Sequence, residues 1–227
     1  RNCTTMVTDK INSLFDGKIL EKVDDKSISY REVLYPYFED YFWYKLGINV
    51  IFGIKTDAKA EKLFLPIELL NSLDKAKTDG KSLVSEKKII VKGTEKPASF
   101  SFLNSIYLII ALLLFIIVIN KRILFLSYLF VCGLLGVFLC LVGFYSEHQE
   151  ILWNYNTLLF SPLFLILPIA KNKCFKILCN LSLVLLVIYT GFMTTKPHLM
   201  IMLPFIITGF YILLKLNVLF RLNYCPL

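Results

Sequence analysis

From about residue 100 to its end the sequence is a series of long uncharged apolar runs with short polar connections, which leaves few folds open. Inside a bilayer every backbone N–H and C=O must be paired within the protein, so a chain of this composition crosses as helices or as a closed barrel. The long uncharged runs read as helices. Crossing a hydrocarbon core of ~30 Å takes about 17–25 helical residues. Five segments meet or approach that length: Phe100–Asn120, Ile123–Phe144, Leu152–Ala170, Ile177–Thr195 and Leu199–Leu214. The third is the weakest, because Asn154 and Asn156 stand at its start.

Charge separates the chain into two parts, 1–98 and 99–227. Residues 1–98 carry 17 Lys/Arg and 15 Asp/Glu, a net +2; the rest carry 8 Lys/Arg with only Glu147 and Glu150, a net +6, and these sum to the chain's +8. The basic excess lies in short loops between apolar runs, which argues for membrane topology and against nucleic acid as a partner. Alternate loops hold Lys121 and Arg122, then Lys171, Lys173 and Lys176, then Lys215 and Arg221. The opposite loops hold Glu147, Glu150 and Lys196. Basic loops mark the cytoplasmic side, so the expectation is an extracytoplasmic soluble half and a cytoplasmic C-terminus. No charge falls inside an apolar run. Ion paths and proton relays ordinarily use one, so a channel or transporter is not expected. Cys132, Gly136, Cys140 and Gly143 in the second run are small residues at near-helical spacing, where a neighbouring helix can come close.

The soluble half reads as mostly helical. Val7, Ile11, Leu14 and Phe15 share a helical face over Thr4–Phe15, with Thr4 or Thr5 as cap and Asp16-Gly17 as stop. Ser29-Tyr30-Arg31-Glu32 has the form of a capping box opening a second helix crowded with aromatics: Tyr30, Tyr35, Tyr37, Phe38, Tyr41, Phe42, Trp43 and Tyr44. Such rings suit a membrane–water interface or an aromatic core contact. Pro66 suits the first turn of a third helix through Ala76. Asp79-Gly80 turns the chain, Lys87–Lys92 reads as a strand, and Gly93–Ser99 links to the membrane half. Arg1-Asn2-Cys3 reads as the interior of a longer protein, so a signal sequence and part of the soluble domain are expected upstream.

Chemistry has two candidate locations. Cys3 directly precedes the first helix, where N–H groups and the helix dipole favour a nucleophilic thiolate; an inert buried Cys, or half of a disulfide with an upstream partner, fits the same position. The second location is the outer loop carrying His148, followed by Asn154 and Asn156. Polar groups here cap helix ends or line a site at the outer surface, and His148 is either a base or a hydrogen-bonding residue. His198 has a weaker claim. No Cys or His spacing matches a metal site, and no cofactor is expected.

Several stretches resemble, in order, one family. Arg1-Asn2-Cys3-Thr4-Thr5, Ser29-Tyr30-Arg31 through Trp43, Gly47 and Gly53, Phe64-Leu65-Pro66 with Leu69-Leu70, and His148 with Asn154-x-Asn156 and Pro162 are similar to motifs of the Bacteroides-type lipoprotein N-acyltransferases. The resemblance implies the end of an α+β papain-like or NlpC-like periplasmic domain, then a polytopic helical domain of about five transmembrane helices in a bacterial inner membrane. It maps the catalytic Cys onto Cys3 and leaves the partner His upstream, so this chain alone is expected to be inactive. The implied substrates are membrane phospholipid as acyl donor and diacylated lipoprotein as acceptor. A membrane-anchored cysteine hydrolase and a non-catalytic scaffold are the alternatives.

Overall fold

The computed structural model describes residues 2–15, 18–23, 27–91, 93, 100–146 and 150–224, with backbone alone for 220–224. His148, Arg1, the Asp16-Gly17 stop and nearly all of the 93–99 linker lie outside the described residues. The chain forms two compact units, 1–33 with 58–98, and 34–57 with 99–227. This differs from a single break at residue 98 in residues 34–57, which belong with the apolar helices.

In the first unit, helix α1 spans Cys3–Asn12 and α4 spans Pro66–Lys75. Asn2, rather than Thr4 or Thr5, caps α1: its Oδ1 accepts from Thr5 N–H at 3.0 Å while Thr5 Oγ1 accepts from Asn2 N–H at 3.0 Å. Ser29 and Glu32 make the expected reciprocal cap for α2 (Tyr30–Leu34): Ser29 N–H donates to Glu32 Oε2 at 2.8 Å and Glu32 N–H to Ser29 Oγ at 3.2 Å. A two-residue hairpin joins β1 (Lys77–Thr78) to β2 (Lys81–Ser82). Asp79 and Gly80 both have positive φ, the turn whose twist matches a hairpin. Residues 87–91, expected as a strand, form none. The only strands among the described residues are these two short ones, so the regular structure of the unit is mainly helix and displays no papain-like sheet. Its small core is Leu20, Leu63 and Ala76, with Ile11, Leu69 and Leu73 packed against it.

The second unit holds α3 (Phe42–Ile51), α5 (Ile106–Ile119), α6 (Arg122–Tyr145), α7 (Asn172–Met193) and α8 (Leu199–Tyr224). Among the described residues three helices are long and apolar enough to cross a membrane, over Arg122–Tyr145, Asn172–Met193 and Leu199–Leu219. This is a membrane protein by that criterion, though with fewer regular spans than five. The aromatic stretch after Ser29 is not one helix. Pro36 begins a 3-10 turn over Tyr35–Phe38, and α3 starts afresh at Phe42. Helix α5 has 14 residues, about 21 Å at 1.5 Å per residue, short of the ~30 Å core.

The third expected span, Leu152–Ala170, is not an α-helix. Its regular parts are single 3-10 turns at Tyr155–Thr157 and Pro162–Leu165. Asn154 Oδ1 takes the N–H of Asn156 at 2.9 Å, the local side-chain bond that competes with helix formation. Pro162 and Pro168 then remove two backbone donors and crowd the preceding turn. Short-range bonds, such as Phe160 N–H to Asn156 O at 2.8 Å and Ala170 N–H to Ile166 O at 2.9 Å, satisfy the irregular backbone.

That segment is what the small residues of α6 accommodate. A Cβ on Gly136 would lie 1.7 Å from the Phe160 carbonyl oxygen, and one on Gly133 would lie 3.0 Å from the Leu165 backbone nitrogen. The close neighbour is therefore irregular chain, not another helix. Phe160, Phe164 and Leu167 are buried there in one core with Phe125, Leu129, Tyr189, Met202 and Leu213. Irregular backbone is tolerated at membrane depth where protein covers it, and α6 provides that cover.

Candidate functional site

In the first unit Cys3 is the first residue of α1, and its thiol is exposed. The helix start is held from two sides. Asn2 Oδ1 serves the cap, and Asn2 Nδ2 donates to the Phe64 carbonyl at 2.6 Å. Phe64 in turn packs edge-on against Tyr30, with ring centroids 5.1 Å apart, and the Tyr30 hydroxyl accepts from Lys62 N–H at 3.2 Å. Glu68 fixes the next turn of chain: its Oε2 accepts from Phe64 N–H at 3.1 Å and Leu65 N–H at 3.0 Å, while Oε1 meets buried Lys22 Nζ at 3.1 Å. The stretches around Asn2-Cys3, Tyr30 and Phe64-Leu65-Pro66 thus converge on one helix start.

The faces of α1 differ in an unexpected way. Thr4, Thr5 and Thr8 are buried, whereas Val7 is 46% exposed and Leu14 72% exposed. Ile11 alone of the expected apolar face reaches the small core. Cys3 and Val7 fall on one side of the helix. A cleft of about 200 Å³ opens on the other, lined by Thr5, Thr8, Asn12, Lys18 and Lys22 among others and without Cys3.

In the second unit Asn154 and Asn156 are buried and turned toward the C-terminus of α3. A helix end leaves four carbonyls without intrahelical donors. Here Ile48 O accepts from Phe52 N–H at 3.1 Å. Asn156 Nδ2 donates to Asn49 O at 2.8 Å and Val50 O at 2.9 Å, and Asn154 Nδ2 donates to Val50 O and Ile51 O, each at 2.8 Å. All four are satisfied, three of them by amides about 100 positions away. Tyr189 of α7 completes the arrangement by donating to Asn156 Oδ1 at 2.8 Å. Just beyond, Gly53 N–H donates to Glu150 O at 2.8 Å, and a Cβ on Gly53 would lie 2.2 Å from Leu152 O. Only glycine allows the two backbones to meet this closely.

The same end of this unit holds a polar cluster that sequence reasoning missed. The Tyr155 hydroxyl donates to Asp57 Oδ2 at 3.0 Å and lies 2.9 Å from His198 Nε2; Lys196 Nζ is 2.9 Å from the same Asp57 oxygen. A hydroxyl has one proton, so with Tyr155 donating to Asp57, His198 donates through Nε2–H. Lys196 also lies over the Phe192 ring at 4.8 Å, and His198 is fully buried. The lysine offsets the carboxylate charge, and the cluster ties the 54–57 turn, Tyr155 and the 194–198 connection together. Its members come from three distant stretches, so no local pattern announced it. The nearest signals in the sequence are His198, given the weaker claim of the two histidines, and the lone Lys196 on an otherwise acidic side. Among the described residues no group of three or more His, Cys, Asp or Glu is placed to hold a metal.

In comparisons with protein families, curated proteins and solved structures, nothing matches this chain.

Proposed function

We propose that the chain is the membrane-proximal part of a thiol acyltransferase, in which Cys3 carries a fatty acyl group from a membrane phospholipid to the N-terminal amine of a diacylated lipoprotein. The observation that supports this reading most is the surroundings of Cys3. An exposed thiol begins a helix whose cap, Asn2, is bonded to Phe64, and Tyr30 packs on Phe64. Three of the stretches that resemble the lipoprotein N-acyltransferases thus meet at the cap of the helix that Cys3 begins.

The chemistry is that of a thiol nucleophile and an ester. Cys3 Sγ attacks the ester carbonyl of a phospholipid; a general base takes the thiol proton, a C–S bond forms, the C–O bond breaks, and the same group returns that proton to the departing lysophospholipid. The lipoprotein amine then attacks the thioester; a C–N bond forms, the C–S bond breaks and the thiolate returns. The same general base takes the amine proton. Both steps pass through an oxyanion, which backbone N–H groups stabilise when preset toward it. Thr5 N–H is committed to Asn2, so those of Cys3 and Thr4 are the donors in this reading. Both substrates are lipid-anchored, which accounts for joining a thiol unit to membrane helices. By the loop charges the thiol unit is periplasmic, the C-terminus cytoplasmic and the membrane a bacterial inner membrane.

The test uses the full-length protein in cells. Intact-protein mass spectrometry should find a hydroxylamine-labile fatty-acyl adduct on Cys3, and Cys3→Ala should leave lipoproteins diacylated. Triacylated lipoproteins in the Cys3→Ala strain, with no other acyltransferase present, would overturn the reading. A peptidyl adduct on Cys3 would instead indicate a hydrolase.

A further inference from the structure

The stretch Tyr35–Tyr44 holds seven aromatic side chains, and the second unit leaves most of that surface uncovered. Tyr37 is 52%, Tyr41 56%, Trp43 46% and Tyr44 65% exposed. The rings order one another: Phe38 stacks on Tyr44 at 6.1 Å, Tyr41 meets Tyr44 edge-on at 5.9 Å, and Phe42 meets Trp43 edge-on at 5.5 Å. The result is a fixed aromatic plate.

Its place is set by two bonds to the chain just before α5. Trp43 Nε1–H donates to Leu103 O at 2.9 Å, and Asn104 Nδ2 donates to Asp40 O at 2.6 Å. Helix α5 begins two residues later, at Ile106. The exposed Phe100, Phe102 and Leu103 extend the plate, and below it α5 shows Leu112, Leu114 and Phe115. Phe100 meets the exposed Tyr107 of α5 edge-on at 6.1 Å, so the apolar surface continues from the plate onto the start of α5. At its other end the plate is anchored through the amide-capped C-terminus of α3.

We infer that Tyr35–Tyr44, with Phe100–Leu103, lies in the headgroup layer of the bilayer crossed by α6, α7 and α8, with a lipid leaflet as its partner. Tyr and Trp are satisfied there, with the ring against acyl chains and the polar edge in water. Continuity with the apolar surface of α5 argues for lipid. No Lys or Arg occurs from Tyr35 to Tyr44, so the contact needs no anionic lipid. This inference is independent of the thiol chemistry.

The test is depth-dependent quenching of Trp43 in proteoliposomes. The only other tryptophan is Trp153, so the full chain is prepared as Trp153→Phe in zwitterionic phosphatidylcholine vesicles containing lipids brominated near the headgroup or near the chain end. Shallow bromines should quench Trp43 several-fold more than deep ones. Absence of bromolipid quenching, or stronger quenching by deep bromines, overturns the assignment. If Trp153→Phe does not insert, the wild type is compared with Trp43→Phe, which must lose the shallow-quenched component; retention of that component also overturns it.

Discussion

Asn156 and Val50, 106 positions apart, are joined by a 2.9 Å bond from the Asn156 amide to the Val50 carbonyl at the end of α3. The same amide serves Asn49 O, and its oxygen receives the Tyr189 hydroxyl. Asn156 is fully buried. Each buried polar group stripped of its partner costs about 1–3 kcal/mol. Asn156→Ala removes the donor for Asn49 O, half the donors for Val50 O and an acceptor for Tyr189. A loss of about 3 kcal/mol is expected, read as a lowered thermal unfolding midpoint in detergent. Asn156→Leu should fare no better despite its similar volume. A Leu variant as stable as wild type would show that the amide bonds are dispensable.

The second prediction concerns the helix start that carries Cys3. Asn2→Ala removes both the cap and the tie to Phe64; loss of a cap alone costs about 1 kcal/mol. Asn2→Asp keeps the capping oxygen but turns the Phe64 contact into one between two acceptors. Hydrogen exchange at the Thr5 amide should speed about fivefold or more in Asn2→Ala and clearly less in Asn2→Asp. Equal exchange in the two variants would mean that the cap contributes nothing to local order.

Much of the membrane unit is legible in the sequence because hydropathy reports burial in lipid directly. The runs at Ile123–Phe144, Ile177–Thr195 and Leu199–Leu214 each fall within an observed helix or overlap one closely. Hydropathy says nothing of hydrogen-bond geometry, so Leu152–Ala170 read as a span although Asn154, Pro162 and Pro168 all oppose a helix there. The Asn2 cap sat one residue before Cys3 and was overlooked in favour of Thr4 and Thr5. The distant partners of Asn154, Asn156, Tyr155 and His198 are not readable: these bonds span roughly 30 to 110 positions, and a polar residue carries no local mark of which distant group it will meet.

The third prediction tests the buried ion pair in the first unit. Lys22 and Glu68 are both nearly inaccessible. Removing one partner of such a pair costs about 3–5 kcal/mol, whereas replacing both costs far less. Lys22→Met should therefore be strongly destabilising, and Lys22→Met with Glu68→Gln should recover much of the loss. Glutamine keeps one carbonyl oxygen for the Phe64 and Leu65 N–H groups, so recovery is not masked by loss of the α4 cap. A double-mutant cycle by urea denaturation measures the coupling, and simple additivity would sink the idea.

Gly136 offers the sharpest test of how the irregular segment is seated. A Cβ placed there would be 1.7 Å from the Phe160 carbonyl oxygen, a backbone atom that cannot swing aside as a side-chain tip does. Either α6 or the 160–165 segment must shift, opening a core that holds Phe160, Phe164 and Leu167. Overpacking in a well-filled core costs about 1–3 kcal/mol and sometimes more; a backbone clash belongs at the upper end, so Gly136→Ala should lose about 3 kcal/mol or fail to accumulate. Gly191 on α7 is the matched control, because a Cβ there meets nothing within 4 Å. Replacing a helical Gly by Ala otherwise gains up to about 1 kcal/mol from propensity, so Gly191→Ala should be neutral or stabilising. Unfolding midpoints of the two variants in the same detergent should thus move in opposite directions or differ by several degrees. If Gly136→Ala were as stable as Gly191→Ala, the 152–170 segment would not be seated against α6, and a regular third membrane helix would again be the better description of that stretch.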